Sequence, residues 1–516
     1  MQTDTSSIAG MIVAQPSDAL ALAAPAFRMS YGHLNRYSAL LAEALQMLGV
    51  GTGTPIGVFA NRTPAGVVGA LAVLKAGGCY IPLDPANPPE RLDYILRDTS
   101  PPFVLAERDI ANRLPKGKWK VIPLDDAPPS FSEPHEPRAQ VAAPVPDSLA
   151  CIVYISGPKG HPLGVEITHA GLLNLIRWHQ RAFQVSAADN ASQIAAPGSD
   201  AAVWEVWPYL TAGASLYFPD ERSRRSAPLL RDWLADEFIT VAFAPAALSG
   251  QLMALDWPCT TALRCLLTSG NELRQQPPAR LPFAVMGTYG ATEATAVAAS
   301  WMVAPCSTPG EFPTIGHRID NARLMILNES SEAVPDGLPG ELCIGGPGVA
   351  RGYWNQPELT AAKFASDPSG ADPRARLFRT GELARRLPDG HIALLGRLDD
   401  QICVRGCRVE PAEVEAALSA HPEVAGSAAV IRHDLPGGPL LVAYVKPLGD
   451  DAPSPAAIQE WLRDRLPEYM VPAAIISLRE LPLTPCGKLD RTSLRRASPA
   501  VSMLDSVLER AGLSAN

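Results

Sequence analysis

Residues 55–78 read PIGVFANRTPAGVVGALAVLKAGG, and this stretch predicts the fold class. It opens with a short apolar run at residues 55–59, which has the length of a buried strand. Residues 65–76 then form a nearly wholly apolar segment of helical length, which Gly77 and Gly78 end. A strand followed by a helix this apolar is typical of a buried, mostly parallel sheet, so we expect an α/β fold.

The segments on both sides of this stretch extend the same alternation of helices and strands. Apolar spacing predicts a helix at residues 37–48 and a strand at residues 150–155. A further helix is expected to begin after Thr168, which is a favourable N-cap residue. The sequence therefore predicts a large N-terminal domain of mostly parallel sheets with helices, covering residues 1–398.

Beyond residue 400 the pattern changes to that of a small α+β unit. The expected elements are helix 411–419, strand 427–431, strand 440–445 and helix 456–465. We accordingly expect a small C-terminal α+β domain at residues 399–496, followed by a tail at residues 497–516.

Composition and charge exclude several classes of protein. The 516 residues are 47% hydrophobic and 19% charged, which rules out a mainly disordered chain. The formal net charge of −9 and the lack of a basic block argue against a nucleic-acid partner. No apolar stretch approaches the roughly 20 residues of a membrane-spanning helix, and residues 1–10 show no secretory signal. Dispersed cysteines indicate free thiols, so we expect a cytoplasmic protein that does not associate with membranes.

Seven short stretches carry the chemistry and follow one another in a fixed order. They read LKAGGCYIPLD (74–84), YGATE (289–293), GELCIGGPGVARGYWNQPELTAAKF (340–364), FRTGE (378–382), GRLDDQICVRGCRVE (396–410), LPEYMVP (466–472) and PLTPCGKLDR (482–491). One such stretch alone is a weak signal, whereas the ordered set is specific. Together they resemble the amino-acid adenylation domains of nonribosomal peptide synthetases, which are adenylate-forming enzymes, and the resemblance covers about residues 20–495.

The resemblance implies a large N-terminal domain and a small mobile C-terminal domain that meet at the active site. It also implies a ligase that uses ATP and Mg²⁺ to convert an amino acid into aminoacyl-AMP in secondary metabolism. The acyl group then passes to a phosphopantetheine thiol. Residues 492–516 are too few for a carrier domain, so the sequence predicts a free-standing unit and a separate phosphopantetheinylated carrier protein.

The resemblance also assigns roles to residues that match the family motifs. Lys488 matches the catalytic lysine, a cation that would stabilise the charge developing at the α-phosphate. Glu293 matches a Mg²⁺ ligand, and Asp399 matches the hinge between the two domains. The residues assigned to ATP are Ser156, Gly157, Lys159, Gly160, Tyr289, Thr292, Glu382 and Arg397. The open alternatives are a solvated surface lysine, a glycine-containing turn at YGATE and a surface ion pair between Arg397 and Asp399.

The segment DAAVWE at residues 200–205 is similar to the family's DxSVWE segment, whose aspartate pairs with the α-ammonium group of the substrate. The presence of Asp200 therefore favours an amino acid, although a helix-capping role for this aspartate stays open. The remaining pocket positions are small or mainly apolar, which favours an apolar or aromatic amino acid. They are Ala201, Trp204, Ala246, Leu267, Ser269, Thr288, Ala296 and Val297.

The phosphate loop departs from the family pattern, which is close to YTSGSTGxPKG. Here residues 154–164 read YISGPKGHPLG, so Pro158 and Lys159 replace a serine–threonine pair and Leu163 replaces a lysine. Proline removes a backbone N–H donor that could cradle a phosphate. Two alternatives to an active adenylating enzyme follow. One is a catalytically impaired homologue that serves as a binding or scaffold module, and the other is an enzyme similar to acyl-CoA ligases.

Overall fold

The computed structural model describes residues 7–124, 144–158, 160–269, 277–303, 314–367, 375–399, 401–404, 407–432, 440–449, 453–482 and 489–496. The chain forms two compact units. The first unit comprises Met1–Pro85, Leu96–Tyr154 and Gly164–Asp399, and the second comprises Ala86–Ile95, Ile155–Leu163 and Asp400–Asn516. The division at residues 398 and 399 that the sequence predicts stays a prediction.

The strands of the first unit are, in chain order, β1 Leu20–Ala24, β2 Phe27–Ser30, β3 Pro55–Phe59, β4 Cys79–Leu83, β5 Phe103–Glu107, β6 Lys120–Leu124, β7 Leu149–Ile155, β8 Leu163–Thr168, β9 Asn190–Ser192, β10 Ser215–Tyr217, β11 Val241–Ala244, β12 Cys265–Ser269, β13 Ala284–Tyr289, β14 Ala299–Met302, β15 His317–Arg318, β16 Arg323–Leu327, β17 Gly340–Gly345, β18 Phe364–Ser366, β19 Arg376–Arg386 and β20 Ile392–Arg397. One residue of β7 and one of β8 belong to the second unit.

These strands form three sheets. The first has the order β6-β5-β3-β4-β7-β8, and the second has the order β15-β14-β13-β12-β11-β9-β10-β1-β2. Both are mainly parallel: β3 pairs in parallel with β4 and β5, and β11, β12 and β13 run parallel to one another. The third sheet, of β16 to β20, is antiparallel.

The helices that accompany these sheets are α1 Ile8–Val13, α2 Tyr31–Met47, α3 Pro64–Lys75, α4 Pro89–Thr99, α5 His169–Ala182, α6 Asp200–Leu210, α7 Glu221–Arg225, α8 Ala227–Asp236, α9 Ala246–Ala254 and α10 Pro357–Lys363. The first residues of α4 belong to the second unit. None of the helices within the described residues combines the length and the apolar character that crossing a membrane requires.

Local sequence explains where several of these elements begin and end. β3 has the bounds that the sequence predicts, and α3 differs by one residue at each end. Thr168 caps α5 as predicted, because its hydroxyl accepts a hydrogen bond from the Gly171 N–H at 3.2 Å. The helix predicted at residues 37–48 begins too late: α2 starts six residues earlier, where the Ser30 side chain caps it.

The last residue of α3, Lys75, is a buried cation in the first unit. Its ammonium group donates to the Asn35 carbonyl, the Asn35 side chain and the Ser38 hydroxyl at 3.0, 3.1 and 2.8 Å. None of these three acceptors is charged, and burial lowers the pKa of Lys75 to about 7.

The second unit contains β21 Ile402–Val404, β22 Cys407–Val409, α11 Pro411–Ser419, β23 Val424–Arg432, β24 Leu440–Pro447, α12 Pro455–Arg463, β25 Ala474–Ser477 and α13 Arg491–Arg496. The strands β21 and β22 form a hairpin, and the sheet order of the others is β23-β24-β25. Helices α11 and α12 pack on this sheet through buried residues that include Val414, Leu418, Ile458 and Leu462. This is the small α+β arrangement that the sequence predicts, with α11 at its predicted bounds.

Candidate active site

Helix α6 presents the carboxylate that the sequence assigns to the substrate ammonium group. Ser199 is the N-cap of α6 and accepts a hydrogen bond from the Ala202 N–H at 3.2 Å. Asp200 is therefore not the N-cap, and the helix-capping alternative for it is wrong. Its Oδ2 accepts a hydrogen bond from the Thr292 hydroxyl at 2.7 Å, and burial raises the pKa of Asp200. A carboxylate that has lost much of its hydration is stabilised by a cationic partner such as an ammonium group.

Glu205, the residue after Trp204 in the same helix, fastens α6 to the preceding loop. Its buried carboxylate accepts hydrogen bonds from the backbone N–H groups of Ile194 at 3.0 Å and Ala195 at 2.7 Å. Burial nevertheless raises the pKa of Glu205 to about 8. This residue lies in the quoted DAAVWE segment but was not assigned a role from the sequence.

Trp204 is buried, and its polar atom is already engaged. The indole Nε1 donates to His179 Nδ1 at 2.9 Å, and the ring packs edge-on against Phe243 with the ring centroids 5.5 Å apart. Trp204 therefore offers a substrate apolar surface rather than a hydrogen-bond donor. His179 lies outside every quoted motif, and its partnership with Trp204 had no sequence signal.

The other predicted pocket residues gather at one edge of the second sheet. Ala246 follows β11 as the first residue of α9, Ser269 ends β12, and Thr288 is paired with Ser269 near the end of β13. Because β11, β12 and β13 are parallel, their carboxyl ends share one edge, which is where ligands bind in open α/β sheets. Leu267 lies on β12, Ala296 and Val297 follow the 3₁₀ turn Thr292–Ala294, and Ala201 is in the first turn of α6.

Glu293 is fully buried in the turn after β13. Its Oε1 accepts a hydrogen bond from the Tyr353 hydroxyl at 2.7 Å, and its carbonyl accepts from the Ala350 N–H at 2.9 Å. Tyr353 therefore orients the predicted magnesium ligand. It lies in the quoted stretch at residues 340–364 but was not singled out from the sequence. Among the described residues, no group of three or more His, Cys, Asp or Glu side chains forms a complete metal cage.

Tyr289, Glu382 and Arg397, which the resemblance assigns to ATP, are linked to one another and to the predicted hinge. The Tyr289 hydroxyl donates to Glu382 Oε2, and burial raises the pKa of this tyrosine well above its usual range. Glu382 on β19 faces Arg397 on β20, with Oε1 and Nη1 3.3 Å apart. Arg397 also binds both carboxylate oxygens of Asp399, at 2.7 and 3.0 Å, and Lys363 lies 3.4 Å from Asp399.

This linked set is a half-buried network rather than a lone surface ion pair. The side chains of Arg397 and Asp399 are 24% and 31% exposed, and three elements supply its charges. Asp399 is also the last residue of the first unit. Its role as a hinge stays a prediction.

The phosphate loop lies in the second unit, where its donors hold a carboxylate. The Ser156 hydroxyl and the Gly157 N–H donate to Glu413 Oε2 at 2.7 and 3.1 Å, and Arg91 pairs with Glu413 Oε1. Ser156 in turn accepts a hydrogen bond from the Glu410 N–H at 2.8 Å. These contacts show that the loop residues assigned to ATP form an anion site.

Gly160 in the same loop must be glycine. Its φ is +81°, a region that other residues rarely adopt, and an added Cβ would lie 2.7 Å from the Cβ of Ala416. Two assigned site residues, Lys159 and Lys488, lie outside the described residues. Arg91 and Glu413 were missed by the sequence reasoning, because Arg91 is in no quoted motif and Glu413 lies just beyond one.

Family models match most of the chain. Residues 12–354 match the family described as AMP-binding enzyme, and residues 413–488 match the AMP-binding enzyme C-terminal domain. The chain therefore belongs to the AMP-binding enzyme family. It is 43% identical over 493 residues to a linear gramicidin synthase of Brevibacillus parabrevis and 34% identical over 476 residues to tyrocidine synthase 1 of the same organism. These alignments cover 96% and 90% of this chain, but only 6% and 42% of the two synthases.

Solved structures show the same fold. An artificially fused adenylation–PCP di-domain, NpsA-ThdA from Klebsiella oxytoca, superposes with a TM-score of 0.78 at 22% identity, covering 98% of this chain and 97% of that one. A four-domain nonribosomal peptide synthetase, AB3403, bound to AMP and glycine, superposes with a TM-score of 0.65 at 27% identity. That match covers 97% of this chain and 36% of the synthetase. The predicted fold class and the resemblance to peptide synthetase adenylation domains are confirmed.

Proposed function

We propose that this protein activates an amino acid with ATP and transfers it to a carrier protein. In the first step a carboxylate oxygen of the amino acid attacks the α-phosphorus of ATP, and pyrophosphate leaves. In the second step a phosphopantetheine thiolate attacks the acyl carbon of the aminoacyl-AMP, and AMP leaves. The products are a thioester on the carrier protein, AMP and pyrophosphate.

The position of Asp200 is the observation that carries this proposal. Its carboxylate is bound to Thr292 of YGATE, so the group assigned to the ammonium lies beside the turn assigned to the nucleotide. The sheet edge that carries the other pocket positions is mainly apolar, and Trp204 has committed its N–H to His179. This arrangement supports an amino acid with an apolar or aromatic side chain.

The residues around Glu293 fit a magnesium ion. Mg²⁺ prefers hard oxygen ligands and is usually bound by one or two carboxylates together with substrate phosphates. Glu293 supplies one carboxylate, and the Tyr353 hydroxyl fixes its orientation. The ion would neutralise phosphate charge when it is bound with ATP. Lys488 would stabilise the charge that develops at the α-phosphorus, as the resemblance implies.

Amino-acid-dependent exchange of labelled pyrophosphate into ATP tests the proposal directly. We expect exchange with at least one apolar or aromatic amino acid. Asp200→Ala should abolish it, because the substrate ammonium loses its counterion. Asp220→Asn is the matched control, since Asp220 caps the N-terminus of α7 and that helix contributes no assigned site residue.

Each other outcome identifies an alternative. If no proteinogenic amino acid supports exchange while the protein is folded, activation of these amino acids is ruled out and the scaffold alternative is favoured. If Asp200→Ala leaves adenylating activity intact, the substrate does not depend on the ammonium contact, and an enzyme similar to acyl-CoA ligases is favoured.

A further inference from the structure

The carboxylate of Glu413 occupies the donors that the sequence assigns to the phosphates of ATP. One oxygen accepts from both the Ser156 hydroxyl and the Gly157 N–H, at 2.7 and 3.1 Å. The Glu413 side chain is only 3% exposed, so these are desolvated contacts. A hydroxyl and a loop N–H that converge on one anionic oxygen would serve a phosphate oxygen equally well.

Arg91 completes the same anion site from helix α4. Its guanidinium pairs with the second oxygen of Glu413, and its side chain is only 4% exposed. Within the described residues, Glu413 is the anion that balances this charge. Leaving an arginine this buried without a partner is costly, so an anion that displaces Glu413 is stabilised by taking over the contact with Arg91.

The composition of the loop explains why a cation from another element matters here. The loop has Pro158 in place of a donor and Leu163 in place of a lysine. A guanidinium fork binds carboxylates and phosphates through the same pair of parallel hydrogen bonds. Arg91 can therefore contact either the carboxylate of Glu413 or a phosphate group without changing its own chemistry.

We propose that Arg91 is a ligand of the β- and γ-phosphates of ATP, and of pyrophosphate, and that Glu413 holds its place until the nucleotide arrives. Glu413 is thus an internal competitor of the triphosphate. This inference rests on the proposed function in that it concerns the ATP of that reaction. It adds one phosphate ligand and one competing carboxylate that the sequence motifs do not assign.

Calorimetric binding to the full chain tests the inference with three probes: the magnesium complex of a non-cleavable ATP analogue, inorganic pyrophosphate and AMP. Glu413→Gln removes the competing charge, so the ATP analogue and pyrophosphate should bind about tenfold more tightly. Arg91→Met should weaken both by about tenfold or more. AMP lacks the β- and γ-phosphates, so its affinity should change in neither variant.

Glu415→Gln is the matched control. Glu415 lies on the same helix, but its carboxylate pairs with Arg491 instead of the loop. It should leave all three affinities unchanged.

Three results would overturn the inference. The first is a Glu413→Gln variant whose affinity for the ATP analogue and pyrophosphate is unchanged or lower. The second is a folded Arg91→Met variant that binds both as tightly as the original chain, and the third is an equal change in AMP affinity. If Arg91→Met does not fold, Glu413→Gln alone decides. Should exchange activity persist in an overturning case, the proposed function stands without the inference, whereas no binding of ATP or pyrophosphate by any variant contradicts both.

Discussion

Replacing Glu205 with glutamine should remove a large part of the pH dependence of stability between pH 4.5 and 8. The Glu205 carboxylate is buried and accepts hydrogen bonds from the Ile194 and Ala195 N–H groups. Burial outweighs these bonds and raises its pKa from 4.5 to about 8. The folded state therefore binds a proton more tightly than the unfolded state.

The sign and size of the effect follow from this difference. The contribution of the raised pKa is fully present below pH 4.5 and is lost as the pH rises towards 8, because only the folded state retains the proton in that window. One pKa unit corresponds to 1.36 kcal/mol, so the slope approaches about 1.4 kcal/mol per pH unit. Across the window the free energy of unfolding should fall by roughly 4 kcal/mol from this residue alone.

Urea unfolding at pH 5, 6, 7 and 8 measures the slope in both proteins. Glu205→Gln is neutral at every pH and keeps one acceptor oxygen, so its stability should vary much less over this range. The control is Glu358→Gln, since Glu358 is exposed in the first turn of α10. Equal slopes for the original chain and Glu205→Gln would refute the reasoning.

Three further changes test other parts of the structure. Lys75→Met should flatten the stability profile between pH 7 and 10.5, because the pKa of Lys75 is lowered to about 7 and the unfolded state binds more protons in that window, which makes the original chain more stable as the pH rises; an unchanged slope in urea unfolding would contradict this. Tyr353→Phe removes the hydroxyl that orients Glu293, so the Mg²⁺ concentration for half-maximal pyrophosphate exchange should rise several-fold, and an unchanged magnesium requirement would count against the assigned ligand. Lys488→Ala should lower the exchange rate by about a hundredfold or more, and a rate within a few-fold of the original would show that this lysine is not the catalytic cation.

Local sequence was sufficient for the elements whose ends carry their own signals. α3 and α11 begin with proline at the first helical position, and both were placed to within a residue. α2 was placed six residues late because its first two turns, YGHLNRY, lack a clear apolar period. Its true start is marked by Ser30, a capping residue that the apolar spacing alone did not reveal.

The site divided in the same way between local and long-range features. Asp200, Thr292 and Glu293 were assigned from motifs, and the structure brings the first two within hydrogen-bonding distance. The pairing of Trp204 with His179 and that of Ser156 with Glu413 join residues far apart in the chain, the second across 257 positions. Such contacts depend on how the units fold, so no spacing pattern predicts them.

The most direct measurement of the central claim is the identification of the activated product. The protein is incubated with ATP, Mg²⁺ and one amino acid at a time, hydroxylamine traps the activated acyl group, and mass spectrometry detects the hydroxamate. The account predicts hydroxamate from an apolar or aromatic amino acid, together with AMP and pyrophosphate, and none from Asp200→Ala. A folded protein that binds ATP and yields no hydroxamate with any amino acid would contradict it.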